Sequence, residues 1–325
     1  MISVHNWILL LLQALLLIGL APGVNGLMKK LKAMFQGRQG PPLLQGYFDL
    51  HKYFLKETVI SEQASWIFRF TPAILFATSL AAGLMVPAFS ELAPLSWLGG
   101  IVALAYLLGL GRFFMVSAAM EPGGSFSSMA ASRETLLATV IEPVLMLALF
   151  VLALMAGSTN FTGIIHWLTG HHAGFLSPAH ILAALVLLTA GIAEMGRIPF
   201  DNPATHYELT MIHEGMLLDY SGPLLGMMLW AGWVKQLMLL SLLANIALPI
   251  GLAANLDPAA LLPALAFWLV KIALLCLLVE LVETLVVKVR LFRVKEILGG
   301  AFVLSIICVV VLVASLQTGQ GGFLP

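Results

Sequence analysis

Charged residues are scarce in this chain of 325 residues, in which Asp, Glu, Lys and Arg together make up 10% of the sequence. Soluble globular domains usually have about a quarter of their residues charged. Because 60% of the chain is hydrophobic, its polar side chains cannot cover a water-exposed surface. The composition therefore excludes both a soluble and an intrinsically disordered protein. Sixteen basic residues balance sixteen acidic ones, and no excess positive charge indicates binding to nucleic acid.

Cysteine is also scarce. Cys276 and Cys308 each lie inside an apolar stretch, and neither has a second cysteine at the spacing of a zinc or iron–sulfur site. Two isolated cysteines do not form a disulfide framework either. We therefore expect that this chain binds no metal and no cofactor of its own.

Long apolar stretches dominate the rest of the sequence. A membrane-spanning helix needs about 20 predominantly apolar residues, and eight stretches approach or exceed that length. They cover approximately residues 7–26, 70–89, 95–111, 136–157, 179–195, 223–248, 259–287 and 297–316. They lack the alternating pattern of barrel strands, so their backbone must be satisfied as helices. The sequence predicts an all-α membrane protein with about eight spans in a single domain, residues 1–325.

The basic residues lie almost entirely on one side of this predicted bundle. With the N-terminus outside, the inner loops are residues 28–69, 112–134, 196–222 and 288–296. Fourteen of the sixteen basic residues fall on this inner side: Lys29, Lys30, Lys32, Arg38, Lys52, Lys56, Arg69, Arg112, Arg133, Arg197, Lys288, Arg290, Arg293 and Lys295. Because cytoplasmic loops are enriched in Lys and Arg, we expect both termini to lie outside.

The first inner loop contains a candidate surface helix. Its apolar positions recur every three or four residues, and polar residues occupy the opposite face. The apolar set is Leu43, Leu44, Tyr47, Leu50, Phe54 and Leu55, and the polar set is Gln45, Asp49, Lys52 and Lys56. This pattern predicts an amphipathic helix that lies in the membrane interface.

The third inner loop and its borders concentrate acidic groups. Five carboxylates, those of Glu194, Asp201, Glu208, Glu214 and Asp219, fall within 26 residues together with a single arginine. Crowded carboxylates raise one another's pKa, which suits proton transfer. Prolines and aromatic residues interrupt the loop, as expected for a docking surface. The residues predicted to dock a partner are Arg133, Arg197, Pro199, Phe200 and Tyr220.

Several ionisable residues lie inside the predicted spans, among them Glu142, Lys235, Lys271, Glu280 and Glu283. A charge at the centre of a span costs at least about 2.5 kcal/mol unless it is paired or hydrated. The helix of Glu142 offers no partner, so its partner must come from another span, with Lys235 the first candidate, or from trapped water. Glu280 and Glu283 lie about 60° apart on one helix face, whereas Lys271 points about half a turn away from Glu280. The residues alone allow either a structural ion pair or a proton path.

Several motifs in these segments resemble a known family. Residues 197–201 read Arg-Ile-Pro-Phe-Asp, preceded by Glu194 and followed by Glu208-Leu209 and Tyr220-Ser221-Gly222. This loop resembles the signature loop of the H-type membrane subunit of respiratory complex I. It is more similar to the corresponding subunits of group 4 membrane-bound NiFe hydrogenases, namely formate hydrogenlyase subunit 4 and hydrogenase-4 component C. Supporting segments occur in family order at residues 44–52, 124–126, 131–134 and 142–145.

The resemblance implies a non-catalytic subunit of an oxidoreductase complex in a prokaryotic inner membrane. Such a subunit anchors peripheral hydrogenase-like large and small subunits and an iron–sulfur protein, and connects them to antiporter-like ion-pumping subunits. The NiFe centre and the iron–sulfur clusters would be bound by those partners. The residues expected on a proton path are Glu142, Glu194, Asp201, His206, Glu208, Glu214, Asp219, Lys235, Lys271, Glu280 and Glu283. His206 and Ala204 stand where the family usually has glutamate.

Two other functions are open from the sequence. The first is the quinone-site subunit of an NADH-quinone oxidoreductase, with quinone entering between the first span, the surface helix and the sixth span. The second is a self-contained cation transporter, for which the intramembrane Lys and Glu residues would be suited. The docking loops and the lack of a visible internal repeat weigh against the transporter.

Overall fold

The computed structural model describes residues 4–170, 177–201, 211–254, 257–289 and 291–317. These residues form ten helices and no β-strand: α1 (Val4–Phe35), α2 (Gln45–Phe54), α3 (Trp66–Met85), α4 (Ile101–Met120), α5 (Ser125–Ala156), α6 (Phe161–Gly170), α7 (Pro178–Glu194), α8 (Gly222–Ala247), α9 (Pro258–Leu285) and α10 (Leu291–Gln317). Seven of them are long and apolar enough to cross a membrane, and α7 is a shorter apolar helix. The predicted all-α membrane fold is confirmed.

The helices extend beyond the stretches that hydropathy marks. Helix α1 continues through three lysines to Phe35. Helix α4 ends at Met120 and α5 begins at Ser125, so most of the segment predicted as inner loop 112–134 is helical. Lys and Arg are good helix formers, and hydropathy reports the edge of the lipid rather than the end of the helix. The turn itself carries Gly123 at a φ of +73°, a conformation that favours glycine.

Helix α2 lies across the inner ends of α1 and α8. Pro22 inside α1 has no N–H group, so the carbonyl of Ile18 loses its helical donor. The indole Nε1 of Trp230 on α8 donates to that carbonyl at 3.0 Å. The hydroxyl of Tyr47 on α2 donates to the neighbouring carbonyl of Gly19 at 2.5 Å. The irregular backbone of α1 thus fixes where α2 and α8 pack.

The apolar core has two main parts. One lies among α5, α7, α8 and α10 and includes Leu149 and Leu187. The other lies among α1, α8 and α9 and includes Leu17, Leu237 and Trp268. Contacts between α4 and α5, α5 and α7, and α7 and α8 complete the row of helices. This arrangement places the inner ends of α4, α5, α7 and α8 next to one another.

Candidate functional site

Charged side chains from four apolar helices meet near the end of the bundle that carries the predicted inner loops. They are Arg112 on α4, Glu134 and Glu142 on α5, Glu194 at the end of α7 and Lys235 on α8. We call these five residues the Arg112 cluster. The surrounding helix faces are apolar, so these charges must be stabilised mainly by one another.

Arg112 is the centre of the cluster. Its Nε lies 3.1 Å from Oε1 of Glu134, and its Nη2 lies 2.5 Å from Oε2 of Glu194. Its Nη1 contacts Glu142. The side chains of Glu134 and Glu194 are only 5% and 3% exposed. The planar guanidinium, with its fixed fork of donors, is suited to hold several carboxylates at once.

The predicted pairing of Glu142 with Lys235 is wrong. Glu142 contacts Arg112 instead, and Lys235 Nζ lies 3.2 Å from Oε1 of Glu194. The rotation of α5 turns Glu142 towards α4 rather than towards α8. The side chain of Glu142 is 48% exposed in the chain, so this carboxylate reaches the surface of the bundle.

The third inner loop is joined to the Arg112 cluster by His213. The backbone N–H of His213 donates to Oδ2 of Asp201 at 3.1 Å, and its ring Nδ1 lies 3.5 Å from the same oxygen. Its ring Nε2 lies 3.4 Å from Oε2 of Glu134. Lys288 donates to the other oxygen of Asp201 at 3.1 Å. The loop and the buried carboxylates are therefore in direct contact.

The charges in this loop shift two pKa values in opposite directions. Burial alone would raise the pKa of Asp201, but hydrogen bonds and charge from His213, with the charge of Lys288, hold this pKa at about 2. Burial alone would lower the pKa of His213, but the charge of Glu134 and the interaction of its ring N–H with the acceptor Asp201 raise it above 6.5. Both shifts favour an ionised Asp201 facing a protonated His213.

A second ion-pair group, the Arg197 cluster, lies between the same loop and α9. Arg197 Nη1 lies 3.2 Å from Oε1 of Glu280 and 3.6 Å from Oε1 of Glu283. Lys32 on α1 donates to Oε2 of Glu283 at 2.8 Å. The two acids both face Arg197, as their spacing on α9 predicts. The guanidinium also approaches Oε1 of Gln236 at 3.5 Å, and Gln236 directly follows Lys235 of the Arg112 cluster in sequence.

Lys271 lies apart from both clusters. Its Nζ donates to Oδ1 of Asn245 at 3.2 Å. The amide of Asn245 in turn donates to the carbonyls of Pro87 and Ala88 at 2.8 Å each. Lys271 therefore helps to orient an amide that satisfies the backbone just beyond the end of α3.

Tyr220, a predicted docking residue, packs inside the chain. Its ring stacks on Phe68, with the ring centroids 4.0 Å apart. Its hydroxyl donates to the carbonyl of Phe68 at 3.0 Å. Pro72 on α3 has no N–H group to offer that carbonyl, so Tyr220 supplies the missing donor.

The other predicted docking residues also hold the loop against the bundle. Arg197 and Phe200 are buried, and the carbonyl of Pro199 accepts a hydrogen bond from the backbone N–H of Val289 at 3.0 Å. Arg133 Nη1 donates to the carbonyl of Met211 at 3.3 Å. These contacts position the loop, and a role of the five residues in docking a partner stays a prediction.

The remaining predicted residues lie at the edge of the site. Glu214 begins a short 3₁₀ helix, Glu214–Leu217. Asp219 is half-buried beside the turn between α4 and α5, where a Cβ on Gly124 would lie 2.8 Å from Oδ2 of Asp219. His206 and Glu208 lie outside the described residues.

Five members of the site are not among the site residues predicted from the sequence: Lys32, Arg112, Glu134, His213 and Lys288. Arg112 directly follows the predicted third span and falls at the start of the predicted inner loop 112–134. Glu134 lies eight residues before Glu142, so the two acids are about 80° apart on a continuous helix. That periodicity becomes visible only when α5 is extended to Ser125.

The site has titratable groups but no set of metal ligands that we can identify. Within the described ranges, no group of three or more His, Cys, Asp or Glu residues is arranged to hold a metal ion. Cys276 and Cys308 are buried free thiols. Carboxylates, lysines and one histidine in contact within a membrane bundle can pair structurally or exchange protons.

Comparison with known proteins identifies relatives over almost the whole chain. A family model described as NADH dehydrogenase matches residues 7–315. Hydrogenase-4 component C of Escherichia coli is 35% identical over 298 residues, covering 91% of this chain and 92% of that protein. Formate hydrogenlyase subunit 4 of the same organism is 32% identical over 309 residues, covering 94% and 98%.

More distant relatives indicate the same family. The H-type subunit of the NADH-quinone oxidoreductase of Rubrobacter xylanophilus is 28% identical over 210 residues, covering 62% of this chain and 61% of that protein. A chain in the structure of the membrane-bound sulfane sulfur reductase, an archaeal respiratory membrane complex, shares the fold with a TM-score of 0.80 at 22% identity. That match covers 93% of this chain and 99% of the other. The predicted resemblance is confirmed, and the chain belongs to the NADH dehydrogenase family, in which hydrogenase-4 component C and formate hydrogenlyase subunit 4 are among its relatives.

Proposed function

We propose that the chain is the membrane anchor and proton-path subunit of a complex I-like, group 4 NiFe-hydrogenase-type assembly. The observation that carries the proposal is the Arg112 cluster, which brings three carboxylates and two basic groups together inside the bundle. Ionisable groups inside membrane spans are costly and usually mark ion or proton pathways. The relatives named hydrogenase-4 component C and formate hydrogenlyase subunit 4 support this type of complex.

The proposed path runs from the third inner loop to the surface of α5. Asp201 and His213 lie at its start, Glu134 in its middle and Glu142 at its end. Arg112 stays protonated and holds the carboxylates of Glu134 and Glu142 near each other. Glu142 is half-exposed, so a neighbouring membrane subunit that covers α5 could receive a proton from it. The path thus connects the inner side of the membrane to a lateral partner such as an antiporter-like pump.

The redox chemistry in this proposal belongs to partner subunits. A hydrogenase-like large and small subunit and an iron–sulfur protein would dock on the inner side and carry the NiFe centre and the clusters. The subunit itself would be non-catalytic and would lie in the inner membrane of a prokaryote. Its basic inner segments support an orientation with both termini outside.

Close packing of α2 weighs against the quinone-site function. Quinone would need an apolar passage between α1, α2 and α8. A Cβ on Gly26 of α1 would lie 2.1 Å from the carbonyl oxygen of Leu43, and one on Gly46 of α2 would lie 2.6 Å from that of Pro22. The backbone of α1 is therefore in direct contact with residues 43 and 46 at these two points, which leaves no room there for a quinone.

The test of the proposal is the substitution Glu142→Gln. The amide keeps the shape of the side chain but cannot titrate, so we expect assembly and electron transfer to persist while coupled ion movement falls. The measurement is turnover together with proton uptake by the intact complex in sealed vesicles.

The matched control is Glu62→Gln, which changes an exposed carboxylate of the first inner loop. The control should couple like the wild type. If Glu142→Gln also couples like the wild type, Glu142 is not on a proton path. If it fails to assemble, its contact with Arg112 is structural.

A further inference from the structure

Among the described residues, His213 is the one histidine that lies between the third inner loop and the Arg112 cluster. Groups from every surrounding element face it: Arg112 on α4, Glu134 on α5, Glu194 on α7, Lys235 on α8, and Asp201 with Lys288 beside the loop. Its side chain is 22% exposed, so the ring also reaches the surface of the chain. The imidazole is therefore accessible from one side and in contact with buried acids on the other.

A small cavity with both apolar and polar side chains in its lining adjoins the ring. It has a volume of about 30 Å³, and its polar lining includes Arg112, Glu134, His213 and Lys235. A cavity of this size has room for a water molecule, which needs two to four polar partners. Both ring nitrogens of His213 and Oε2 of Glu134 are buried and make no well-aligned hydrogen bond within the described chain. Such groups are usually satisfied by water or used in proton exchange.

The charges around the cavity also favour a proton on the ring. Two cations, Arg112 and Lys235, face the three carboxylates of the Arg112 cluster. One negative charge therefore remains, and a protonated imidazole would neutralise it. Asp201, already paired with Lys288, lies on the Nδ1 side of the ring, where a carboxylate can hold the Nδ1–H tautomer in place.

We propose that His213 passes protons from the inner aqueous side to Glu134 through its Nε2 atom, by way of one water molecule bound in this cavity. This inference rests on the proposed function. In the step, the imidazolium of His213 keeps the proton on Nδ1 towards Asp201 and gives the proton on Nε2 to Oε2 of Glu134, which becomes a neutral carboxylic acid. Nε2 then takes a proton from the water in the cavity, and that water takes one from the inner aqueous side. The imidazolium and the water are both restored.

The first test is the pH profile of coupled proton uptake by the intact complex in sealed vesicles. His213→Gln keeps a hydrogen-bonding side chain but cannot carry a proton. We expect it to assemble and to lower coupled uptake by about 10²-fold, the low end of what a positioned proton-transfer group contributes. The control His51→Gln changes an exposed histidine on α2 and should retain the wild-type profile.

The second test reads the imidazole directly. Infrared difference spectra of the complex with ¹⁵N-labelled histidine should show a ring that titrates above pH 6.5 and is missing in His213→Gln. Glu134→Gln removes an opposite charge, so it should lower that titration by about 1 to 3 pH units. If His213→Gln does not assemble, the shift in Glu134→Gln still tests whether His213 titrates in contact with Glu134.

The outcomes separate the two proposals. Lost coupling in Glu142→Gln with an unchanged profile in His213→Gln would refute the role of His213 alone. Unchanged coupling in both variants would refute the proton path itself. An imidazole that does not titrate, or whose titration ignores Glu134→Gln, would also overturn the inference.

Discussion

Replacing Arg112 by Ala would remove the cation that contacts three carboxylates at once. Glu134 and Glu194 are almost fully buried, so both would keep a charge that is poorly compensated. Glu194 would retain Lys235 at 3.2 Å, whereas Glu134 would depend on His213. Glu142 would also lose its contact with Arg112.

Breaking one buried pair costs about 3–5 kcal/mol, which is a factor of roughly 10² to 5 × 10³ in the folding equilibrium. At roughly 2 °C per kcal/mol for a chain of this size, the thermal midpoint should fall by about 6–10 °C. The measurement is the unfolding midpoint of the purified chain in mild detergent. The control is Arg69→Ala, which removes an exposed arginine from α3 and should change the midpoint by no more than about 2 °C.

A double substitution sharpens the test. Arg112→Met combined with Glu134→Gln removes both members of one pair and leaves no unpaired charge between them. The double variant should be more stable than Arg112→Met alone, because much of the loss comes from the carboxylate left behind. An Arg112→Ala midpoint within about 1 °C of the wild type would refute the idea that this arginine holds the cluster together.

Two further predictions concern pH and helix packing. The pKa of His213 is raised above 6.5, so its stabilising contribution is full below about pH 6.5 and is lost as the pH rises through the raised value. The unfolding midpoints of the wild type and His213→Gln should therefore converge at high pH, and a constant gap between them would contradict this. The pKa of Asp201 is held at about 2 against an ordinary 3.8, so its stabilising contribution is present above pH 3.8 and is lost towards pH 2. Gly26→Ala should loosen α2, because its Cβ would lie 2.1 Å from the carbonyl oxygen of Leu43. The control is Gly19→Ala, whose Cβ meets nothing within 4 Å. Limited proteolysis after residue 38 should be faster in Gly26→Ala only, and equal cleavage rates in the two variants would argue against close packing.

The architecture was predictable because it depends on local properties of the chain. Apolar length marks the spans wherever they occur, and lipid leaves helices as the way to satisfy the backbone. The position of Glu280 and Glu283 on one face of α9 follows from helical periodicity alone. That both acids face Arg197 agrees with this local geometry.

The pairing of charges was not predictable because it depends on how each helix is rotated in the bundle. Glu142 and Lys235 lie in different spans, and the sequence suggests their pairing only because the helix of Glu142 offers no partner of its own. Helix packing places Glu142 in contact with Arg112 and Lys235 in contact with Glu194. Hydropathy also separates Arg112 from its span by a single residue, since it locates the lipid boundary and not the helix end.

The contacts of the third inner loop are non-local for a different reason. Asp201 contacts His213, twelve residues later, and Lys288, which lies beyond two further spans. No periodicity relates such positions, because the path of a loop is set by the helices that it joins. The sequence around His213 does not mark it as a site residue, and only its position beside Glu134 in the fold distinguishes it from a surface histidine.

The half-exposed carboxylate of Glu142 has a consequence for how a cell handles newly made copies of the subunit. Before assembly, this side of α5 would face acyl chains, and a charge at the centre of a span costs about 2.5–3.5 kcal/mol on insertion scales. A partner helix laid against α5 would remove much of that cost, so binding stabilises the chain by mass action. If the proposed function holds, unassembled copies would be the less stable ones, and the abundance of the chain should follow that of the partner that covers α5.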